Sequence, residues 1–314
     1  MIMGYATCLS VLLILLLELV LQLARRGASP IETTDCLRLR EETRALHWRD
    51  LRRSTRIVAF GDSIPYGWGL SYRESYPVVL EEMLLESRPR QETRVINAGI
   101  PGNTVTLGWG RIDRDVLRWR PHLVLVGFGL NDINLARSVF DERREDAFRQ
   151  RMTATGQLKA VLRRSLLWST ILDTIKGLVR RPVPQSVGVD VAKQLRSRTT
   201  GEVFERALHD IVRRIQRRRG RPILLTMTPI SRRLRTPQGA PAELRDLVSR
   251  YDDVITMVAR SEGAMLIDVH AGMASRADTE TLIGPDGVHL NAKGHEVMAG
   301  IVHAALLETM SRDR

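Results

Sequence analysis

The sequence predicts an α/β protein, a three-layer α/β/α sandwich around a central parallel sheet of about five strands, with a hydrophobic helix ahead of it. Three observations lead there. Short apolar runs such as Arg56–Phe60 (RIVAF) and His122–Gly129 (HLVLVGFG) lack polar alternation, as strands covered on both faces do. Segments of helical periodicity separate these runs, which is the order that parallel strands joined by crossover helices require. Several runs also stop abruptly in Gly, Asp or Asn, the residues that turn a strand into a loop.

The elements follow in chain order. Arg56–Phe60 is the first strand and is halted by Gly61, Asp62 and Ser63. Tyr72–Ser87 carries Val78, Val79, Met83 and Leu84 among acidic residues, a surface helix. Thr93–Asn97 is the second strand, and the NAGIPGNT turn leads into a helix running to about Trp119. Pro121 opens the third strand. Regular patterning resumes with a helix over Glu202–Arg219, a strand over Pro222–Thr228, a helix over Glu243–Glu262, a strand over Ala264–Val269 and a last helix over Ala292–Met310. No internal repeat or low-complexity tract interrupts this order.

At 314 residues the chain can bury a substantial core, and the motifs described below span one domain over 56–314. The formal charge of +12 comes almost entirely from Arg, with Lys only at 159, 176, 193 and 293. No nucleic-acid-binding motif accompanies that charge, so no nucleic-acid partner is expected. Cys8 and Cys36 offer neither a disulfide framework nor a paired metal motif. His47, His122, His209, His270 and His303 are too widely spread for a metal site, and no P-loop or dinucleotide fingerprint is present, so no metal or cofactor is expected.

Chemistry concentrates in four blocks. Phe60–Gly69 (FGDSIPYGWG) delivers the Ser63 hydroxyl to a sharp turn at the carboxyl edge of a sheet, where α/β proteins bind ligands. NAGIPGNT contains Gly102, VGFGLND contains Asn131, and GPDGVHLNAKGH places Asp286 and His289 three residues apart, close enough for one loop to aim both at one point. Together the GDS at Gly61–Ser63, the Gly at 102, the G-x-N-D at Gly129–Asp132 and the D-x-x-H at Asp286–His289 resemble the SGNH hydrolase (GDSL-type esterase) superfamily, in its order. The likeness runs from about Arg56 to the C-terminus and is thin over 141–221. It implies a flavodoxin-like fold and a serine esterase. The absence of a G-x-S-x-G elbow argues against the ordinary α/β-hydrolases.

The resemblance assigns Ser63 as nucleophile, His289 as general base and acid, and Asp286 as the group orienting His289. It assigns the oxyanion donors to the backbone N–H groups of Ser63 and Gly102 and the Asn131 amide. A residue without a Cβ at 102 lets its N–H approach a ligand closely. Asp62 and Asp132 are expected to brace loops, Asn103 to support the oxyanion loop, and His295 to be structural or exposed. The substrate is expected to be a small-molecule or lipid acyl ester. An acyltransferase or carbohydrate deacetylase using the same serine, and a noncatalytic tethered binding protein, are the rival readings.

Two further segments bear on location. Tyr5–Ala24 is long enough to cross a bilayer of about 30 Å as a helix, weakened by Glu18 and Gln22 toward one end. Residues 1–26 therefore read as a membrane anchor or a cleaved signal, and 27–55 as a polar linker. Arg25 and Arg26 after the run favour a cytosolic domain, whereas the resemblance favours an extracytoplasmic one, which is the expectation adopted. Within an insertion over 141–201, Leu158–Arg181 is amphipathic with basic flanks: a lid, a membrane contact, or a helix packed on the domain.

Overall fold

The computed structural model describes residues 39–51, 53–133, 198–232, 234 and 241–312. Five strands follow the expected runs closely: β1 (Thr55–Gly61), β2 (Thr93–Gly99), β3 (Leu123–Gly127), β4 (Arg221–Leu225) and β5 (Met265–Ile267). They form one all-parallel sheet in the order β2-β1-β3-β4-β5. The described helices are α1 (Glu41–Ala45), α2 (Ser63–Tyr66), α3 (Tyr76–Ser87), α4 (Val105–Asp115), α5 (Gly201–Arg217), α6 (Pro241–Ser261), α7 (Val269–Ala274) and α8 (Ala292–Arg312).

Side chains alternate across each strand, so the sheet supplies two apolar faces. Ile57, Ala59, Val95, Leu125, Ile223 and Leu225 join one cluster with Tyr76, Leu80 and Leu84 of α3 and Met298, Val302 and Leu306 of α8. On the other face, α4 packs on α5 and α5 on α6. There Phe60 meets Phe128 edge-on at 5.0 Å and Phe204 meets Tyr251 at 4.9 Å. Helices on both faces give the predicted three layers. Continuous burial along Ile57–Phe60 and Val124–Val126 explains why these runs read as unbroken apolar stretches.

Some expected boundaries shift for local reasons. The helix expected over Tyr72–Ser87 breaks at Ser75 into a 3₁₀ turn, Tyr72–Glu74, and α3. The helix expected to reach Trp119 stops at Asp115, and a 3₁₀ turn, Leu117–Trp119, follows. β4 ends at Leu225 rather than Thr228: the Thr226 N–H still donates to the Ile267 carbonyl of β5 at 3.2 Å, but the next N–H, of Met227, turns to the Asp252 side chain at 2.8 Å.

Part of the segment expected to be a linker belongs to the domain. Leu39, Thr43 and Leu51 are buried, and the Thr43 hydroxyl donates to the Asn97 carbonyl at 2.8 Å. Its polar composition conceals this, since the contacts are made largely by polar groups reaching backbone carbonyls. The expected anchor over 1–26 and the Leu158–Arg181 segment lie outside the described residues, as does the 141–201 insertion apart from 198–201. Among the described residues no helix is long and apolar enough to cross a membrane.

Close approach of β1 and β3 depends on glycine. Gly61 pairs with Gly127, and a Cβ at Gly61 would stand 2.2 Å from the Gly127 carbonyl oxygen and 2.8 Å from Pro65 Cγ. Backbone cannot yield as a flexible side chain can, so Gly61→Ala is expected to cost about 3 kcal/mol. Urea unfolding measures this; an unchanged midpoint contradicts the packing described.

Candidate active site

β1 delivers Ser63 directly. Asp62 caps α2, its Oδ1 accepting the Ile64 N–H at 3.0 Å, which satisfies a donor that a helix start leaves open. α2 ends after one turn because Gly67 takes a left-handed conformation (φ 71°), and the Trp68 N–H closes the turn on the Ser63 carbonyl at 3.1 Å. Asn97, fully buried at the end of β2, holds the turn from behind: its amide donates to the Pro65 carbonyl at 2.6 Å. Ser63 is itself buried, 5% exposed, so its hydroxyl faces a defined partner rather than bulk water.

That partner arrives from the far end of the chain. The Asp286–His289 loop is pinched at its neck by a bridge between Ile283 and Leu290 and turns through Gly287 (φ 75°). Asp286 Oδ1 accepts the N–H groups of Val288 and His289, both at 3.0 Å, while Oδ2 lies 2.5 Å from His289 Nδ1. His289 Nε2 stands 2.9 Å from Ser63 Oγ. With Nδ1 donating to the carboxylate, Nε2 keeps the lone pair that accepts the serine hydroxyl. Partial burial raises the Asp286 pKa, but the two backbone N–H donors and the imidazole outweigh it, leaving the carboxyl below its ordinary range.

The remaining predicted residues tie the neighbouring strand ends together. Asn131, after β3, donates its amide to Asp62 Oδ2 at 3.2 Å, beside the serine turn. Gly102, after β2, adopts φ 72°, which only glycine takes readily, and its carbonyl accepts from Arg198 at 3.3 Å. Asp132 is fully buried and accepts the Val105 N–H with both oxygens at 3.1 Å, capping the start of α4. Burial pushes Asp62 up to about 6, against the Ile64 N–H, His289 and Asn131. Burial likewise pushes Asp132 up to about 7, against Thr199 and Val105. His295 is buried and accepts the Tyr76 N–H at 3.1 Å; burial first, then the charges of His289 and Arg40, lower its pKa to about 4, so it stays neutral.

Sequence reasoning missed Arg111, which organises this edge. Its buried guanidinium donates to the Gly61 carbonyl at 2.6 Å, the Ala98 carbonyl at 2.9 Å and the Asn103 side chain at 2.8 Å, with Asp115 at 3.3 Å. It also lies over the Phe60 ring at 4.7 Å. Burial lowers its pKa to about 10, with Asp115 acting in the opposite direction, so it remains a cation at neutral pH. One side chain thus joins the ends of β1 and β2 to the Gly102 loop. A signal existed: Val105, Gly108, Arg111, Ile112 and Asp115 share the buried face of α4, so a charged pair sits on an otherwise apolar stripe.

The chain belongs to the GDSL-like Lipase/Acylhydrolase family, whose sequence pattern matches residues 59–297. An arylesterase from Vibrio mimicus is 34% identical over 79 residues, 25% of this chain and 38% of that protein. The uncharacterized lipoprotein YqeF of Bacillus subtilis (strain 168) is 36% identical over 77 residues, 24% of this chain and 31% of that protein. The match thus spans well under half the length of either relative. The crystal structure of a lipase/acylhydrolase from Enterococcus faecalis superposes with a TM-score of 0.53 at 20% identity, over 80% of this chain and 94% of that one, a likeness of fold.

The raised pKa of Asp132 has a stability consequence. Its folded value of about 7 lies above the unfolded value of 3.8, so the folded state retains a proton that the unfolded state releases between those values. Stability from this group is therefore fullest at low pH and declines as pH rises from about 4 to 7. The stability of the parent relative to Asp132→Asn, measured by urea unfolding, is expected to fall across that interval by about 1–3 kcal/mol. A difference independent of pH contradicts the shifted ionisation.

Proposed function

We propose that this protein is a serine esterase that hydrolyses carboxylic ester or thioester bonds through an acyl-enzyme on Ser63. The hydrogen-bonded chain Asp286–His289–Ser63, at 2.5 Å and 2.9 Å, carries the proposal. Ser63 Oγ attacks the carbonyl carbon while His289 Nε2 takes the hydroxyl proton, and the carbonyl electron pair moves to oxygen. Collapse of the tetrahedral species breaks the bond to the leaving alcohol, which receives that proton from His289. Water then attacks the acyl-enzyme, gives a proton to His289, and releases the acid as Ser63 regains its hydrogen. Asp286, held ionised by its donors, stabilises the imidazolium formed in both halves.

Developing negative charge on the substrate oxygen is assigned to the Ser63 and Gly102 N–H groups and the Asn131 amide. Asn131 donates one amide hydrogen to Asp62, leaving its second for the oxyanion. Asp62 is thereby an orienting residue for Asn131, and Asn103, through Arg111, one for the Gly102 loop.

For substrate we infer lipid or cell-envelope acyl esters, with the enzyme tethered by Tyr5–Ala24 and the catalytic domain on the extracytoplasmic side. The apolar length of that segment supports a tether, the basic amphipathic Leu158–Arg181 stretch supports contact with an anionic surface, and the lipoprotein name of the B. subtilis relative fits the same setting.

Labelling by a fluorophosphonate probe tests the nucleophile: Ser63→Ala is expected to abolish it, and labelling elsewhere in that variant contradicts the assignment. Asn131→Ala is expected to lower ester turnover roughly 100- to 1000-fold with the fold intact; near-normal turnover removes Asn131 from the oxyanion site. Anionic vesicles are expected to raise hydrolysis of a long-chain ester above that of a soluble short-chain one, and equal rates count against a lipid substrate.

A further inference from the structure

Trp68 is one of two large apolar residues left exposed among the described residues, at 44%. A single exposed apolar side chain needs no explanation, but the setting of this one is unusual. Its backbone closes the nucleophile turn, and left-handed glycines flank it, Gly67 at φ 71° and Gly69 at φ 80°. Arg40 pins that turn: its guanidinium donates to the carbonyls of Tyr66 at 2.7 Å, Gly67 at 2.8 Å and Leu70 at 2.7 Å. The same cation lies 4.6 Å from the centre of the Tyr66 ring, and Tyr66 lies 6.4 Å from the indole. The turn is held by these bonds, yet the indole it carries is not packed away, and its N–H finds no acceptor among the described residues. Arg40 also precedes the region that matches the family, so the brace comes from outside residues 59–297.

The indole stands next to the proposed general acid. Its ring centre lies 6.2 Å from that of His289, inclined by 37°. During acylation the proton on His289 Nε2 passes to the leaving oxygen, which must therefore come within hydrogen-bonding reach of that nitrogen. The acyl carbon stays on Ser63, and the rest of the alcohol continues past the imidazole to whatever borders it. Among the described residues, Trp68 is an aromatic ring beside that imidazole.

We infer, building on the acyl-enzyme reading, that Trp68 braced by Arg40 is the wall of the leaving-group subsite, and that the preferred ester has an alcohol portion carrying a ring whose face stacks on the indole. Aromatic rings and the C–H faces of pyranoses share this chemistry. An indole carried on a hydrogen-bonded turn offers contact area with its backbone already ordered.

The test compares kcat/KM for benzyl acetate, a monoacetylated methyl pyranoside and butyl acetate. In Trp68→Ala and in the bulk-retaining Trp68→Leu, the ratio of ring-bearing to open-chain ester is expected to fall roughly tenfold. Trp68→Phe is expected to restore the benzyl ratio, and Arg40→Ala to lower it part of the way. A fall in only one ring-bearing arm supports the subsite and identifies its ring type. Ratios equal to the parent's in both Trp68→Ala and Trp68→Leu, with fluorophosphonate labelling of Ser63 retained, overturn the platform and leave the esterase reading intact. No Ser63-dependent turnover of any of the three esters in the parent overturns the ring-stacking subsite, and the esterase reading falls with it only where Ser63 also fails to label with the fluorophosphonate.

Discussion

The position of β1 between β2 and β3 governs the rest of the structure. From this strand the chain winds outward in both directions, to β2 on one side and through β3 to β5 on the other. Connections leaving the carboxyl ends of β1 and its neighbours therefore diverge, and a crevice opens where they part. Ser63 stands on the first of these ends, and Gly102 and Asn131 follow the two strands that flank it. The proposed nucleophile and the groups proposed to stabilise its oxyanion lie on neighbouring strand ends because the winding order places their strands side by side.

Keeping that edge in register falls to buried polar groups rather than to the apolar core. Arg111 satisfies backbone carbonyls at the ends of both β1 and β2, Asn97 holds the serine turn, and Asp132 caps the helix that follows the Gly102 loop. Each is desolvated, and each has its hydrogen-bonding partners, the condition under which a buried polar group specifies one arrangement instead of destabilising many. The carboxylates Asp62 and Asp132 are driven upward in pKa by the same burial, so the site's order carries an electrostatic cost that grows as pH rises toward neutrality.

The sheet was readable from the sequence because its strands are covered on both faces: Ile57–Phe60 and Leu123–Val126 bury consecutive residues and stand out as apolar runs. The grouping of Ser63, Asp286 and His289 was readable because the motifs set distinctive polar residues in the turns and loops, and the structure brings these three side chains together. Contacts from long polar side chains to distant backbone were not readable. Arg111 reaches Gly61 across 50 positions and Arg40 reaches Leu70 across 30, and nothing in local spacing marks a carbonyl as the recipient of a guanidinium. For the same reason residues 39–51 read as a linker although Thr43 and Leu51 are buried in the domain. α2 and α7 escaped notice because one or two turns are too short to show a helical period.

The account rests on Ser63 Oγ receiving an acyl group once His289 Nε2 has taken its proton. Acid quenching during turnover of an activated ester, followed by peptide mapping, measures this directly. The acyl mass is expected on the peptide containing Ser63 in the parent and absent from it in His289→Ala. An acyl group mapped to any other residue, or turnover in the parent with no acylated peptide at the shortest quench times, contradicts it.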